Sequence, residues 1–225
     1  HCAPARVFSI VLSDIVGDPL DMIASGPAYP DASTAEQALA IVKKYALHLS
    51  DEALSCLEAP TPNHLSNVET HITGSVRALC AAAQDAAQKL GFQCRMLTDC
   101  LDCEAREAGR FLASIARSHQ QTERPLAFFA GGETVVHLTG QGLGGRNQEL
   151  ALAAAPGLRG TQNTAVCSFG SDGTDGPTDA AGGFVDQSSD AALRAAGLDV
   201  PQVLAENDAY HALQKIGGLL MTGPT

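Results

Sequence analysis

THITGSVRALCAAAQDAAQKLGFQCRML, residues 70–97, decides the fold class. Thr70–Thr73 reads as a short strand. Ser75 caps an alanine-rich helix that runs to Leu90, and Gly91 ends it at the position where a left-handed residue is wanted. Phe92–Leu97 is again a strand, so strand, helix and strand follow one another within 28 residues. That alternation predicts an α/β domain built on parallel pairing.

The rhythm continues outward. Asp102 is expected to cap a helix reaching about His119. Leu126–Ala130 is an apolar strand, and Thr134–Thr139 a second one. The tight Gly131-Gly132 between them suggests a local antiparallel hairpin. Helix is expected over Asn147–Ala155, strand over Thr164–Phe169, short helices over Asp190–Ala196 and Tyr210–Ile216, and a last strand over Leu219–Thr222. Upstream, Arg6–Leu12 is a buried strand followed by a long loop, Ser13–Asp31. Ser33 with Glu36 reads as a capping box, and Ser50–Glu58 as a second short helix. The expected fold is α/β: a mixed, largely parallel sheet with flanking helices in Rossmann-like layers. The proline-rich Ala59–Asn63 is the one boundary that composition suggests. His1-Cys2-Ala3-Pro4 and Met221–Thr225 both read as cuts through elements, so a piece of a longer two-domain protein is expected.

Composition narrows the function. The 225 residues carry 14 Lys+Arg against 25 Asp+Glu, a formal charge of −11, with 45% apolar and 17% charged residues. This is globular composition, ample for a buried core. A pI near 4.9 without a basic cluster argues against duplex nucleic acid. A few local cations can still receive an anionic substrate. The longest apolar runs fall far short of a membrane span. Seven scattered cysteines read as reduced thiols in a cytoplasmic protein. Cys100 and Cys103 form a C-x-x-C without a second pair, which reads as incidental.

Three loops that follow strands could carry chemistry, since ligands of open α/β sheets gather at strand carboxyl ends. In the first, Asp14 and Asp18 flank Gly17, with Ser25 and Gly26 further on: oxygen ligands for magnesium, and amides for an anion. The second holds Gly131, Gly132, Glu133 and Thr134, then Gly140–Gln148. Gly144, Gly145 and the N–H of Asn147 lie at a helix start, where amides and dipole favour phosphate, and Arg146 adds a fork of donors. The third is Gly170–Gly182, with Asp172, Asp175 and Asp179 among glycines and threonines, suited to a hard cation, a general base or a hydroxylated ligand. Turn-building alone would also use such residues. Gly140-x-Gly142-x-x-Gly145 matches a dinucleotide fingerprint, but the expected acid about twenty residues later is absent. No G-x-S-x-G elbow and no P-loop occurs. His137 alternates within a strand and reads as structural, and His71 and His211 have no catalytic partner in sequence.

Together, Ser13–Asp18 with Ser25-Gly26-Pro27, Gly131–Thr134, Gly144–Glu149, Thr174–Gly182, Asn207-Asp208 and Thr222–Thr225 resemble the glycerate 2-kinases of the MOFRL type. The likeness runs over essentially the whole chain. It implies two domains facing a cleft, with residues 1–124 the end of the family's N-terminal region and 125–225 a MOFRL region truncated at its C-terminus. It also implies phosphorylation of D-glycerate at its 2-hydroxyl by ATP with Mg2+. On that resemblance, Arg146, Asp175 and Asp179 are catalytic, the latter two holding the metal. Gly131, Gly132, Glu133, Thr134, Gly144, Gly145 and Asn147 would contact the nucleotide. Asp14, Asp18, Ser25, Gly26, Asp172 and Asn207 would line the substrate side. A homodimer is left open. The family's glycine-rich Ser motif, functional lysine and closing Gly-Thr-Asn loop are not found in the chain, and Ala28 and Val135 stand where threonines are usual. Two other readings are an NAD(P)H-dependent hydroxypyruvate reductase, a label that members also carry, and an inactive ligand-binding fragment.

Overall fold

The computed structural model describes residues 2–13, 15–59 and 63–224. The chain forms two compact units, 1–83 and 84–225, that divide within the third helix.

In the first unit, β1 (Val7–Leu12) pairs in parallel with β2 (Val68–Gly74), from Val7 opposite Val68 to Leu12 opposite Gly74, with an irregularity after Val11. Parallel pairing needs a long crossover. Here it contains a 3-10 turn at Ile23–Ser25, then α1 (Ala35–Lys44) and α2 (Asp51–Glu58). The capping box of α1 is not the expected Ser33/Glu36 but Thr34/Gln37, one residue later: the Thr34 hydroxyl accepts from the Gln37 N–H, and Gln37 Oε1 accepts from the Thr34 N–H at 2.9 Å. Ser50 caps α2 as expected. The Ser75 hydroxyl accepts from the Ala78 N–H at the start of α3 (Val76–Lys89).

The second unit begins with β3 (Gln93–Leu101), which is joined in parallel to β4 (Leu126–Gly132) through α4 (Ala105–Ser118). Glu104, not Asp102, is the residue before α4. The expected Gly131-Gly132 hairpin does not form. Both glycines belong to the end of β4, and the chain runs on instead of folding back. Glu133 N–H donates to Leu101, Val135 N–H to Cys103, and Ala105 N–H to Val135, at 2.8–3.0 Å. Residues 134–139 therefore follow the end of β3 with one parallel bridge, Glu104 to Val135, and make no strand of their own.

α5 (Arg146–Ala154) sits at the centre of this unit. Every residue from Gln148 to Ala154 is buried; the run Leu150–Ala154 is apolar all round, which suits a core helix, while Gln148 and Glu149 are buried polar groups. It packs on α4, on the antiparallel sheet of β5 (Ala165–Phe169), β6 (Gly182–Asp186) and β7 (Leu219–Leu220), and on α7 (Val200–Ala205) and α8 (Ala209–Lys215). α6 (Ser189–Ala195) adds Leu193 to the core with Leu152, Leu158, Val185 and Leu213. β6 and α7 were absent from the sequence reading. Gly182 reads in sequence as the end of a loop, and α7 is a six-residue helix with Pro201 in its first turn. The pairing among described residues is thus three small sheets, two parallel and one antiparallel, not one largely parallel sheet. No described helix is long and apolar enough to cross a membrane.

Candidate functional site

The second unit gathers most of the sequence candidates at the carboxyl ends of β4 and β5 and the start of α5. Gly145 occupies the N-cap position of α5 and offers no side chain. Asp175 caps the helix from the distant loop instead. Its Oδ1 accepts from the Asn147 N–H and side-chain amide, both at 3.1 Å, and its Oδ2 from the Gln148 N–H at 2.8 Å. A Cβ at Gly145 would collide with that carboxylate, so glycine is required there. Asp175 is 3% exposed. Burial raises its pKa above the ordinary 3.8, and the helix amides and Arg146 only partly oppose it.

The cap has a consequence for anion binding. The Asn147 N–H, expected to cradle phosphate, is spent on Asp175. Among the described residues, the Gly144 and Gly145 N–H groups donate no hydrogen bond. With the Arg146 N–H, which also donates none, they are the amides left for an anion at this helix start.

Arg146 is half exposed, and its Nη1 meets Glu133 Oε1 at 2.8 Å. The two residues bracket the loop 134–145, so the ion pair ties its ends together. A cation in a helix's first turn is unfavourable to the helix itself. Glu133, Asp172 and Asp175 offset that cost, since Arg146 acts electrostatically on both aspartates. The N–H and hydroxyl of Thr174 hold the Asp172 carboxyl below the usual range, with a smaller contribution from Arg146. Asp179 accepts from the Tyr210 hydroxyl at 2.8 Å, which raises the phenol's pKa. Thr134 is buried beside Glu133.

Asn207 does not line an open substrate face. It is 5% exposed and its amide is fully committed: Oδ1 accepts from the Thr139 and Gly140 N–H groups, and Nδ2 donates to His137 O and Glu149 Oε2. The dinucleotide fingerprint has the same fate. A Cβ at Gly140 would strike the Glu206 backbone, and one at Gly142 would strike Asp208. These glycines permit a close approach within the chain and leave no room there for a pyrophosphate.

The two Asp175 oxygens already accept three N–H donors, Oδ1 two of them and Oδ2 one, so most of the acceptor capacity a magnesium ion would use is engaged. Among the described residues no group of three or more His, Cys, Asp or Glu is placed to hold a metal ion. Sequence reasoning also missed the Arg106–Glu149 pair, which is 3.0 Å long and lies beneath the loop. Glu149 stood inside a quoted motif. Arg106 gave no signal in sequence, because a charge on an amphipathic helix reads as solvated.

The first-loop candidates lie in the other unit. Asp14 is outside the described residues. Asp18 is left-handed, φ 55°, and its N–H donates to Ile15 O at 3.2 Å. Gly26 ends the 3-10 turn that includes the Ser25 backbone, also left-handed, and donates to Ile23 O. A pocket of about 240 Å³ beside β1 is lined by Ile10, Leu12, Leu20, Ile23, Gly26 and Tyr29 among others. Its walls are mainly apolar.

Residues 126–225 match the MOFRL family, and residues 1–58 a domain of unknown function, DUF4147. The D-glycerate 2-kinase of Thermotoga maritima is 54% identical over 226 residues, which cover 99% of this chain and 54% of that protein. A glycerate kinase of Macaca fascicularis is 33% identical over 279 residues, covering 99% of this chain and 70% of that one. The crystal structure of a glycerate kinase from Thermotoga maritima superposes with a TM-score of 0.91 at 53% identity, over 99% of this chain and 55% of that one. The chain spans about half the length of most of the curated relatives it matches. On this likeness, which extends over its whole length, the chain belongs to the glycerate 2-kinase family that carries the MOFRL and DUF4147 regions.

Proposed function

We propose that the protein, at its full natural length, transfers a phosphoryl group from ATP to the 2-hydroxyl of D-glycerate, and that the second unit supplies the anion-handling part of the site. One observation carries this reading beyond family likeness. Arg146 stands half exposed at the first position of a buried helix, with an exposed carboxylate, Glu133, as its ion-pair partner. A guanidinium so placed has donors to spare for a carboxylate or phosphate that displaces Glu133. Phosphoryl transfer relies on positioning and charge neutralisation more than on covalent chemistry, and a rigid arginine provides both.

In this reading the Gly144 and Gly145 amides approach the transferred phosphate or its oxygens. Asp172, kept ionised by Thr174, and Asp179 face the hydroxylated substrate, and Glu133 and Thr134 border the nucleotide. Asp14, Asp18, Ser25 and Gly26 of the first loop are the further residues assigned to substrate binding. Gly131 and Gly132 bring β4 to this mouth. Asp175 acts from behind, by fixing the helix start. Magnesium accompanies ATP in such transfers. With Asp175 occupied, no step is assigned to the metal. The test is a coupled assay of the full-length protein with ATP and D-glycerate, the product distinguished as the 2-phosphate by phosphorus NMR, beside NADH with hydroxypyruvate. Formation of 2-phosphoglycerate is expected. NADH oxidation without phosphoryl transfer would overturn the proposal.

A further inference from the structure

Beneath the loop that ends at Arg146 lies a charged pair that the core need not have contained. Glu149, one turn further along α5, has a side chain 3% exposed. Its Oε1 accepts from Arg106 Nε at 3.0 Å, and its Oε2 accepts from Asn207 Nδ2 at 3.2 Å. Arg106 on α4 also pairs ionically with Glu104 at 2.9 Å and donates through Nη2 to the Leu204 carbonyl. A buried ion pair carries a desolvation cost that an apolar pair would avoid, so it calls for a geometric reason.

Asn207 supplies that reason. It sits in the left-handed region, φ 53°, in the turn between α7 and α8. Glu149 and the His137 carbonyl together fix which way its amide faces, because only the Nδ2 side can donate to them. The opposite edge must then present Oδ1, and Oδ1 takes the N–H groups of Thr139 and Gly140 at 2.7 and 2.9 Å. The same turn holds the loop at two further points, through Gly142 N–H to Glu206 O and Leu143 N–H to Asp208 Oδ1. The loop's path from β4 to Arg146 is thus written by an amide that a buried carboxylate and the loop's own His137 carbonyl hold in one orientation.

We infer that Glu149, with Arg106, acts as a positioning residue for phosphoryl transfer: it sets the Asn207 amide, which sets the 139–145 loop and so places the Gly144-Gly145 amides and Arg146 toward the reacting group. The inference rests on the kinase reading above. Its test uses the full-length enzyme and the Glu149→Gln variant. That change keeps shape and volume but puts an NH2 group against either Asn207 Nδ2 or the Arg106 guanidinium. The amide of Asn207 must turn or the contact must open. We expect kcat to fall by about 10- to 100-fold, the scale of a misplacement near 1 Å. KM for both substrates should stay within about twofold, because transition-state placement is what is lost.

Wild-type kcat in Glu149→Gln, with only a lowered Tm, would overturn the inference and leave the pair a scaffold. A wild-type enzyme that does not phosphorylate glycerate would instead overturn the reading beneath it. Amide exchange then decides the placement by itself. In Asn207→Ala, exchange at Thr139 and Gly140 should accelerate by about tenfold or more, and unchanged protection would overturn it.

Discussion

The two units fold from similar proportions of strand and helix but spend their apolar residues differently. In the second, α5 disappears into a shell of helices and sheet, and Leu152, Leu158, Leu193 and Leu213 are wholly buried. In the first, α1 and α2 bury no residue completely, and β1 shows Phe8, Ile10 and Leu12 to solvent at 59–74% exposure. The difference teaches where geometry can be held to a fraction of an ångström. Charged and polar groups with fixed partners, Asp175, Gln148, Glu149 and Asn207, all belong to the unit with the closed core. The first unit's candidates sit on loops beside an open strand.

The largest expected effect breaks or confirms that contrast directly. Leu152→Ala should destabilise the 225-residue chain by about 3–4 kcal/mol, as truncation in a packed core does. Ile10→Ala, at 74% exposure, should cost about 0.5 kcal/mol or less. Denaturant melts of both variants check it. A comparable cost for Ile10→Ala would show that the β1 face is covered and the contrast false.

Next comes chemistry. Arg146→Ala in the full-length enzyme should lower kcat/KM by about 3 kcal/mol or more, the loss of one preorganised charge stabiliser. The measurement is steady-state kinetics with ATP and D-glycerate. A value near wild type would remove Arg146 from the mechanism.

Asp175→Ala follows at about 2 kcal/mol of unfolding free energy. It deletes a cap of two helix amides together with its charge at the dipole's positive end. The loss should appear in thermal melts, and amide exchange should quicken at Asn147 and Gln148. If activity vanished at an unchanged Tm, Asp175 would be a catalytic group and not the holder of the helix start.

These sites show what the sequence made legible. Alternation of strand and helix was readable because helix stops such as Gly91 and caps such as Ser50 and Ser75 act locally. The hairpin at Gly131-Gly132 was misread because two glycines look alike whether the chain turns or passes close to a neighbour, and only the pairing of β4 with β3 decides. Gly140 and Gly142 mimicked a dinucleotide loop for the same reason: their close approach is to Glu206–Asp208, more than sixty residues away. Asp175 was singled out, but its partner is a helix 27 residues upstream, and no local pattern tells a long-range cap from a metal ligand. The place of Arg146 in the first turn of α5 was legible as well, because the glycines before it mark a helix start.

A smaller effect is expected at Glu133. Its pair with Arg146 is exposed on both sides, so its own worth is about 0.5 kcal/mol. Glu133→Gln removes a carboxylate that competes with an anionic substrate for the guanidinium. KM for glycerate should fall by about twofold, with stability nearly unchanged. A rise in KM would mean that Glu133 touches ligand itself.

The finest probe of the closed unit is a pH difference curve. Asp175 has its folded-state pKa raised above 3.8, chiefly by burial. Between 3.8 and that raised value the folded state holds more protons than the unfolded one, so the Asp175 contribution to stability declines as pH rises and levels off above the folded pKa. Asp172, Asp31, Glu52 and Asp186 have the opposite sign: lowered pKa values give stability that is lost on acidification. Those four sites are solvent-facing and common to wild type and Asp175→Asn, so subtracting the two stability curves cancels them. The remainder should slope downward just above pH 3.8 and then run flat. A remainder that rises with pH would mean that the helix amides and Arg146 outweigh burial at Asp175. The core around α5 would then be wetter than its packing implies, and the contrast between the two units correspondingly shallower.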